Sequence, residues 1–363
     1  MNFELEALFV EEDARASALA ERVIARLPAG VAVRYVADGR SATRPPAGAD
    51  PFGAAKRRIV LMRHRGGFLK SCPAGSSEFA CCGYQVMILA SNCPMDCSYC
   101  FLQEYVADNP GLQIYTNYHE AFDELDRLAA RAPGRSFRIG TGELADSLAF
   151  DTLTGISRDL VEYFAARQNL LLELKTKTDE IANLLTIDPK GRTLVSWTLS
   201  PERVFRASEH HTAAPAARID AARRVHEAGY KVAFHLDPII AYAEAEADYA
   251  ALLEELFALI PPERIAFISL GGLRMTPTLR TIARRRFPSD PMLVGEEALA
   301  PDGRYRAFTP LRLGLFTRIR ERLTRAHPQL PIYLCMESPS AHRRVLGAPP
   351  ASPAQMGARL ARV

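Results

Sequence analysis

The sequence predicts an α/β fold of parallel strands, and three observations point there. Six short apolar runs recur between residues 85 and 270 of the 363-residue chain. Amphipathic segments of helical period separate most of them, and parallel strands require such crossovers. The residues that carry chemistry fall just after the runs, where parallel α/β folds assemble their sites. This spacing fits a partial barrel and an open doubly wound sheet equally well.

In chain order, residues 1–40 read as strand, helix, strand: the apolar run LEALFV, the amphipathic DARASALAERVIARL and the second run AVRYVA. The Pro-, Gly- and Ala-rich stretch 38–53 reads as a linker, and IVLMRH (59–64) as another short strand. QVMILA (85–90), SFRIG (136–140), LLLELKT (170–176), TLVSWTL (193–199), KVAFHLD (231–237) and RIAFISL (264–270) are the six buried strands. Helices are expected near 119–131, 154–168, 179–186, 214–228 and 245–260, and again over 310–326. IYLCM (332–336) is either a seventh strand or a lid. The chain divides into an α/β lead-in with linker (1–54), a central α/β body (55–275) and a basic helical C-terminal extension (276–363).

Apolar residues make up 48% of the chain and charged ones 24%, as in ordinary soluble proteins. No run is long and apolar enough to span a bilayer, so no membrane partner is expected. The acidic start, MNFELEALFVEEDAR, is unlike a signal peptide, so a cytoplasmic location is expected, where thiols stay reduced. A formal net charge of +3 does not by itself demand a nucleic-acid partner. Arg284-Arg285-Arg286, Arg318 to Arg325 and Arg343-Arg344 crowd the C-terminal third, either as solvated helix faces or as a phosphate-binding surface.

Three of the seven cysteines fall within eight residues, in SNCPMDCSYCFLQEY. The spacing Cys93-x3-Cys97-x2-Cys100 puts three thiolates on one loop, enough for three corners of a [4Fe–4S] cubane. The fourth iron is then open to the amino and carboxylate groups of S-adenosylmethionine. Reductive cleavage of that sulfonium gives methionine and a 5′-deoxyadenosyl radical, which abstracts hydrogen from a substrate. A structural zinc site would want four closed ligands, usually two Cys-x2-Cys pairs, and the chain has no second pair.

GTGE (140–143) follows the second run. Glycines such as Gly142 let backbone approach a ligand, and Glu143 can accept from the methionine ammonium. A plain strand-to-helix turn is the alternative. Lys177 can pair with the methionine carboxylate and Thr198 can donate to the same moiety, with Lys175 expected on the opposite face of its strand. His235 reads as a core histidine, and Asp237 before Pro238 as a strand terminator. Cys72, Cys81 and Cys82 match no cluster spacing. Cys82 or the later Cys335 can instead donate a hydrogen atom to a substrate radical, because thiol S–H bonds are weak.

Several stretches resemble the spore photoproduct lyase family of radical S-adenosylmethionine proteins: LKSCPAGSSEFACCGYQVMILASNCPMDCSYCFLQEY (69–105), YTN (115–117), LELKTKTDE (172–180) and HLDPII (235–240). The resemblance runs from about residue 55 to 335. It implies a partial (β/α)6 barrel that the C-terminal extension closes, with a [4Fe–4S] cluster on Cys93, Cys97 and Cys100. It places Tyr99, Lys177 and Thr198 at the S-adenosylmethionine site. It also implies a carbon–carbon lyase acting on spore photoproduct, a thymine dimer of UV-damaged DNA, so DNA is an implied partner. An electron donor such as flavodoxin or ferredoxin is expected. The family's lyase carries a hydrogen-donating cysteine at the end of the second strand and a tyrosine after the third cluster cysteine, where this chain has GTGE and Phe101. That departure calls either for another donor, Cys335 or Cys82, or for another substrate: a different nucleic acid, a peptide or a small molecule.

Overall fold

The computed structural model describes residues 4–72, 79, 82–352, 355 and 356. Its larger sheet carries seven parallel strands in sequential order: Gln85–Met87, Phe137–Gly140, Leu170–Thr176, Thr193–Thr198, Lys231–Ile239, Ile265–Gly272 and Ile332–Leu334. Leu69–Ser71 pairs antiparallel at the outer edge. The sheet curls into a half barrel, and helices such as Ile156–Ala165, Pro215–Glu227 and Ala245–Leu259 make the crossovers. Its strands read as continuous apolar runs because both faces are covered; every residue of Thr193–Thr198 and Ile265–Gly272 is buried. The partial barrel is therefore present. IYLCM supplies a seventh strand rather than a lid, with Ile268 to Leu270 paired to Ile332 to Leu334.

A second sheet holds Ala32–Val36, Ala7–Glu11, Arg58–Met62 and Leu112–Tyr115 in parallel, with Ala90–Ser91 antiparallel at its edge. The sheet that begins in the lead-in also takes in three strands from beyond residue 54: Arg58–Met62, Leu112–Tyr115 and Ala90–Ser91. QVMILA is split between the sheets, and this transfer carries the chain from the barrel into the cysteine loop. The expected linker 38–53 holds two short helices, Gly39–Thr43 and Pro51–Ala55. Each is capped by the aspartate before it, Asp38 accepting from the Arg40 N–H and Asp50 from the Gly53 N–H.

The helix expected over 179–186 is a single turn, Leu184–Thr186. The hydroxyls of Thr176 and Thr178 accept from the N–H groups of Thr178 and Glu180 at 3.0 and 3.2 Å. Side-chain bonds of this kind compete with helical ones. The C-terminal extension is only partly helical: Pro277–Arg286, Thr309–Ala326 and Pro339–Leu346 accompany an antiparallel sheet of Arg274–Met275, Tyr305–Ala307 and Glu297–Leu299. Among the described residues, no helix is long and apolar enough to cross a membrane.

Candidate functional site

The loop that follows Ala90–Ser91 is pinned from several directions. Asn92 sits at φ 66°, a left-handed conformation that asparagine tolerates. Its side chain accepts from the Cys93 N–H at 2.8 Å and donates to the Pro110 carbonyl at 2.5 Å. Asp96–Cys97 pairs antiparallel with Glu209–His210. Gln103 donates to the carbonyls of Ser98 and Cys100 at 2.8 and 3.2 Å, and Ser98 donates to Asp290 at 2.5 Å. The loop backbone is therefore held by Asn92 at its start and by residues that follow it in sequence.

Cys93 and Cys97 are buried and Cys100 is half-buried. Burial pushes all three thiols up, Cys97 to about 11 despite the nearby Lys177 ammonium. Thiols in such a place lose their protons only to a cation that replaces them. Among the described residues no three His, Cys, Asp or Glu side chains converge as a single metal ion would need. An iron–sulfur cubane makes no such demand, because each thiolate ligates a different corner iron. Three thiols on one loop are a donor set that suits a cubane held at three of its corners.

Beside Cys97 lies a buried charged network that the sequence reading only half anticipated. Lys177 Nζ is 3.8 Å from Cys97 Sγ, 2.5 Å from the Tyr99 hydroxyl and 2.9 Å from Glu209 Oε1. Glu209 also accepts from Tyr99, from Ser200 at 2.8 Å and from Arg218 at 2.6 Å. Arg218 is fully buried and donates to the carbonyls of Thr198 and Ala213, both at 2.8 Å. Burial opposes ionisation of Glu209, but Lys177 and Arg218 outweigh it and hold the carboxyl well below its usual range. Cys93, Cys97, Cys100, Tyr99 and Lys177 are thus brought together, and Thr198 joins them through Arg218. Glu209 and Arg218 were missed; in EHHT and PAARID they look like surface charge.

Asp146 accepts from the N–H groups of Leu148, Ala149 and Lys177 and from the Thr176 hydroxyl, at 2.7 to 3.0 Å. It ties the loop after GTGE to the end of the third barrel strand. Gly142 is required there, since a Cβ would come within 2.8 Å of the Lys175 carbonyl oxygen. Glu143 lies 3.7 Å from Lys175 Nζ, so it joins that lysine and not the Tyr99–Lys177 group. Lys175 corrects the expectation of a face opposite Lys177: residues two apart on a strand share a side, and Lys175, half-buried, lies with Glu173 near Asp237 and Cys335.

Deeper in the barrel, Arg138 lies 3.3 Å from Glu173 and donates to Cys82 Sγ at 2.9 Å. His235 Nε2 is 2.9 Å from Glu173, and its Nδ1 is 2.6 Å from the Ser269 hydroxyl. It is a satisfied core histidine, as read. Asp237 does not end its strand, which runs on to Ile239; it pairs with Arg274 at 2.9 Å. Cys335 directly follows the seventh strand, and its electrostatic neighbours are Asp237, Arg274, Cys82 and Lys175. Both candidate donor thiols therefore face the barrel interior. Cys81 lies outside the described residues.

Glu173 gives a pH prediction. Burial works against its charge, yet Arg138 and His235 hold its carboxyl down to about 2 from an ordinary 4.5. Its contribution to stability is complete above pH 4.5 and is lost as pH falls towards 2. Glu173→Gln leaves the Arg138 charge unpaired, at an expected cost of about 3–5 kcal/mol. The urea midpoint at neutral pH should fall, and the acid-induced loss should become shallower. A variant with an unchanged midpoint would show that Arg138 needs no counter-charge.

Known proteins resemble this chain in sequence and in fold. A family model described as spore photoproduct lyase matches residues 3–307. Spore photoproduct lyase of Bacillus subtilis (strain 168) is 26% identical over 210 residues, covering 57% of this chain and 61% of that protein, so the chain spans under two thirds of that relative. The Clostridium acetobutylicum spore photoproduct lyase is 23% identical over 270 residues, 74% of this chain and 78% of the relative. Among solved structures, a cysteine-to-serine variant of spore photoproduct lyase superposes with a TM-score of 0.80 at 20% identity, covering 92% of this chain and all of the other. A variant with bound AdoMet and dinucleoside spore photoproduct gives the same TM-score at 19% identity.

Proposed function

The chain belongs to the spore photoproduct lyase family, and from that premise we propose that it is a radical S-adenosylmethionine lyase that restores two thymines from spore photoproduct in DNA. The observation that carries this reading is the set of three thiols on one pinned loop, two buried and one half-buried, with Lys177 and Tyr99 beside Cys97. A [4Fe–4S] cluster held by Cys93, Cys97 and Cys100 would supply the electron that cleaves S-adenosylmethionine to methionine and an adenosyl radical.

The chain's own groups then have defined tasks. Lys177 offers a half-buried ammonium to the cofactor's carboxylate, and Glu209 fixes where that ammonium sits. Thr198 ends the fourth barrel strand beside them, its carbonyl already taken by Arg218. Gly142 lets the loop approach closely, and the Glu143–Lys175 pair gives one acceptor and one donor on the adjoining wall. Tyr99 supplies a phenol within the cysteine loop, whereas Phe101 is exposed and packs on Tyr105. Of the two thiols facing the barrel, Cys335 is the stronger candidate donor. Burial pushes its thiol well up, so it keeps the S–H bond that a hydrogen-atom donor must break, while the sulfur of Cys82 is engaged by Arg138.

An anaerobic assay tests this reading. The reconstituted, dithionite-reduced protein in heavy water receives S-adenosylmethionine and an oligonucleotide carrying spore photoproduct. Thiol hydrogens exchange with solvent, so thymine restored through a thiol donor should carry deuterium in its methyl group. Cys335→Ala should remove that label, while Cys82→Ala should retain it. 5′-Deoxyadenosine without restored thymine would redirect the search to another substrate, and absence of 5′-deoxyadenosine would overturn the radical reading.

A further inference from the structure

Resting on the cluster assignment above, we propose that Lys56 is a positioning residue for the iron–sulfur cluster, delivered from the N-terminal region to fix the cysteine loop and favour the reduced cluster. Lys56 follows the short helix Pro51–Ala55, about forty residues before the cysteines, and is only 5% exposed. Its Nζ donates to the Met95 carbonyl at 2.6 Å and lies 2.9 Å from Asp96 Oδ1. Both acceptors stand between Cys93 and Cys97. The ammonium also lies 5.0 Å from the centre of the Phe52 ring, which shields it from water.

Other charges surround it, and they balance. Arg286, from the helix Pro277–Arg286, holds Asp96 at 2.8 Å and Asp50 at 2.8 Å. Two cations and two carboxylates thus meet on the outer side of the loop. Contact with the loop backbone rather than net charge separates their effects. Lys56 alone among these four groups donates to loop backbone inside the Cys93–Cys97 span. A buried lysine is costly unless it is paired, and a purely structural pin at this carbonyl needs no charge. The cluster gains negative charge on reduction, and a nearby ammonium in a poorly solvated setting stabilises that form.

The test uses full-length protein, reconstituted anaerobically, as wild type, Lys56→Met and Lys56→Arg. Iron content, the midpoint potential from an EPR-monitored redox titration, and the lifetime of the cluster absorbance in air are read together. Lys56→Met should shift the midpoint to lower potential and shorten the lifetime in air severalfold. Lys56→Arg, which keeps charge and donors, should restore both towards wild type. If Lys56→Met retains no cluster, recovery by Lys56→Arg supports the proposal, and failure of Lys56→Arg sinks it. A Lys56→Met protein with wild-type potential and lifetime overturns it alone. A wild type that takes up no iron overturns the proposed function first, and this inference with it.

Discussion

Replacing Cys97 by alanine is expected to abolish cluster binding and, with it, formation of 5′-deoxyadenosine from S-adenosylmethionine. Cys97 pairs with Glu209 across a short antiparallel bridge and is 7% exposed, so its backbone is fixed independently of its sulfur. Alanine fits that backbone, and the fold should persist with a near-native far-UV spectrum. What disappears is one of three thiolates on a loop that supplies no replacement. Loss of outer-shell partners alone typically costs 10–100-fold in metal affinity or activity, so loss of a ligand should cost about 100-fold or more. Iron per chain, read after reconstitution and desalting, should drop in step with the activity. Cys82→Ala is the control: its sulfur lies against Arg138, away from the loop, and iron content should be unchanged. Full iron and turnover in the Cys97→Ala protein would refute the ligand assignment.

The cysteine loop was legible in the sequence because thiol chemistry and spacing are local. The barrel strands were legible because burial on both faces makes each an unbroken apolar run, as in LLLELKT and TLVSWTL. What escaped the sequence is long-range. Glu209 and Arg218 are charged residues in polar stretches, and only the fold reveals them as buried partners 2.6 Å apart. Lys56 stands beside a linker-like segment, with nothing local to tie it to cysteines forty residues on. QVMILA hides a change of sheet, because Gln85–Met87 and Ala90–Ser91 are equally apolar in context and differ only in their partners. DEIANLLT (179–186) reads as helical by pattern, while the hydroxyls of Thr176 and Thr178 just before it accept from backbone N–H groups and turn the chain aside. The face of Lys175, by contrast, was decidable from period-two alternation and was assigned wrongly.

Glu209→Gln should have the second large effect, on stability and on cofactor binding together. The carboxylate neutralises two cations at once, the half-buried Lys177 at 2.9 Å and the buried Arg218 at 2.6 Å, and it also receives the Tyr99 hydroxyl. Glutamine keeps the volume and removes the charge, leaving both cations uncompensated in surroundings where that costs about 3–5 kcal/mol. The urea midpoint should fall accordingly. Binding of S-adenosylmethionine to the reconstituted protein, followed by equilibrium dialysis, should weaken as Lys177 loses its fixed position. The carboxyl is held below its usual range, so the stability it brings is complete above its unfolded value and is lost as pH drops; the glutamine variant should lack that acid limb. A second substitution separates charge from packing. In Glu209→Gln with Lys177→Met only Arg218 stays unpaired, so part of the lost stability should return while cofactor binding does not. If the double variant is as unstable as the sum of the two singles, the sites are energetically independent and the coupled network is not what holds this corner of the barrel.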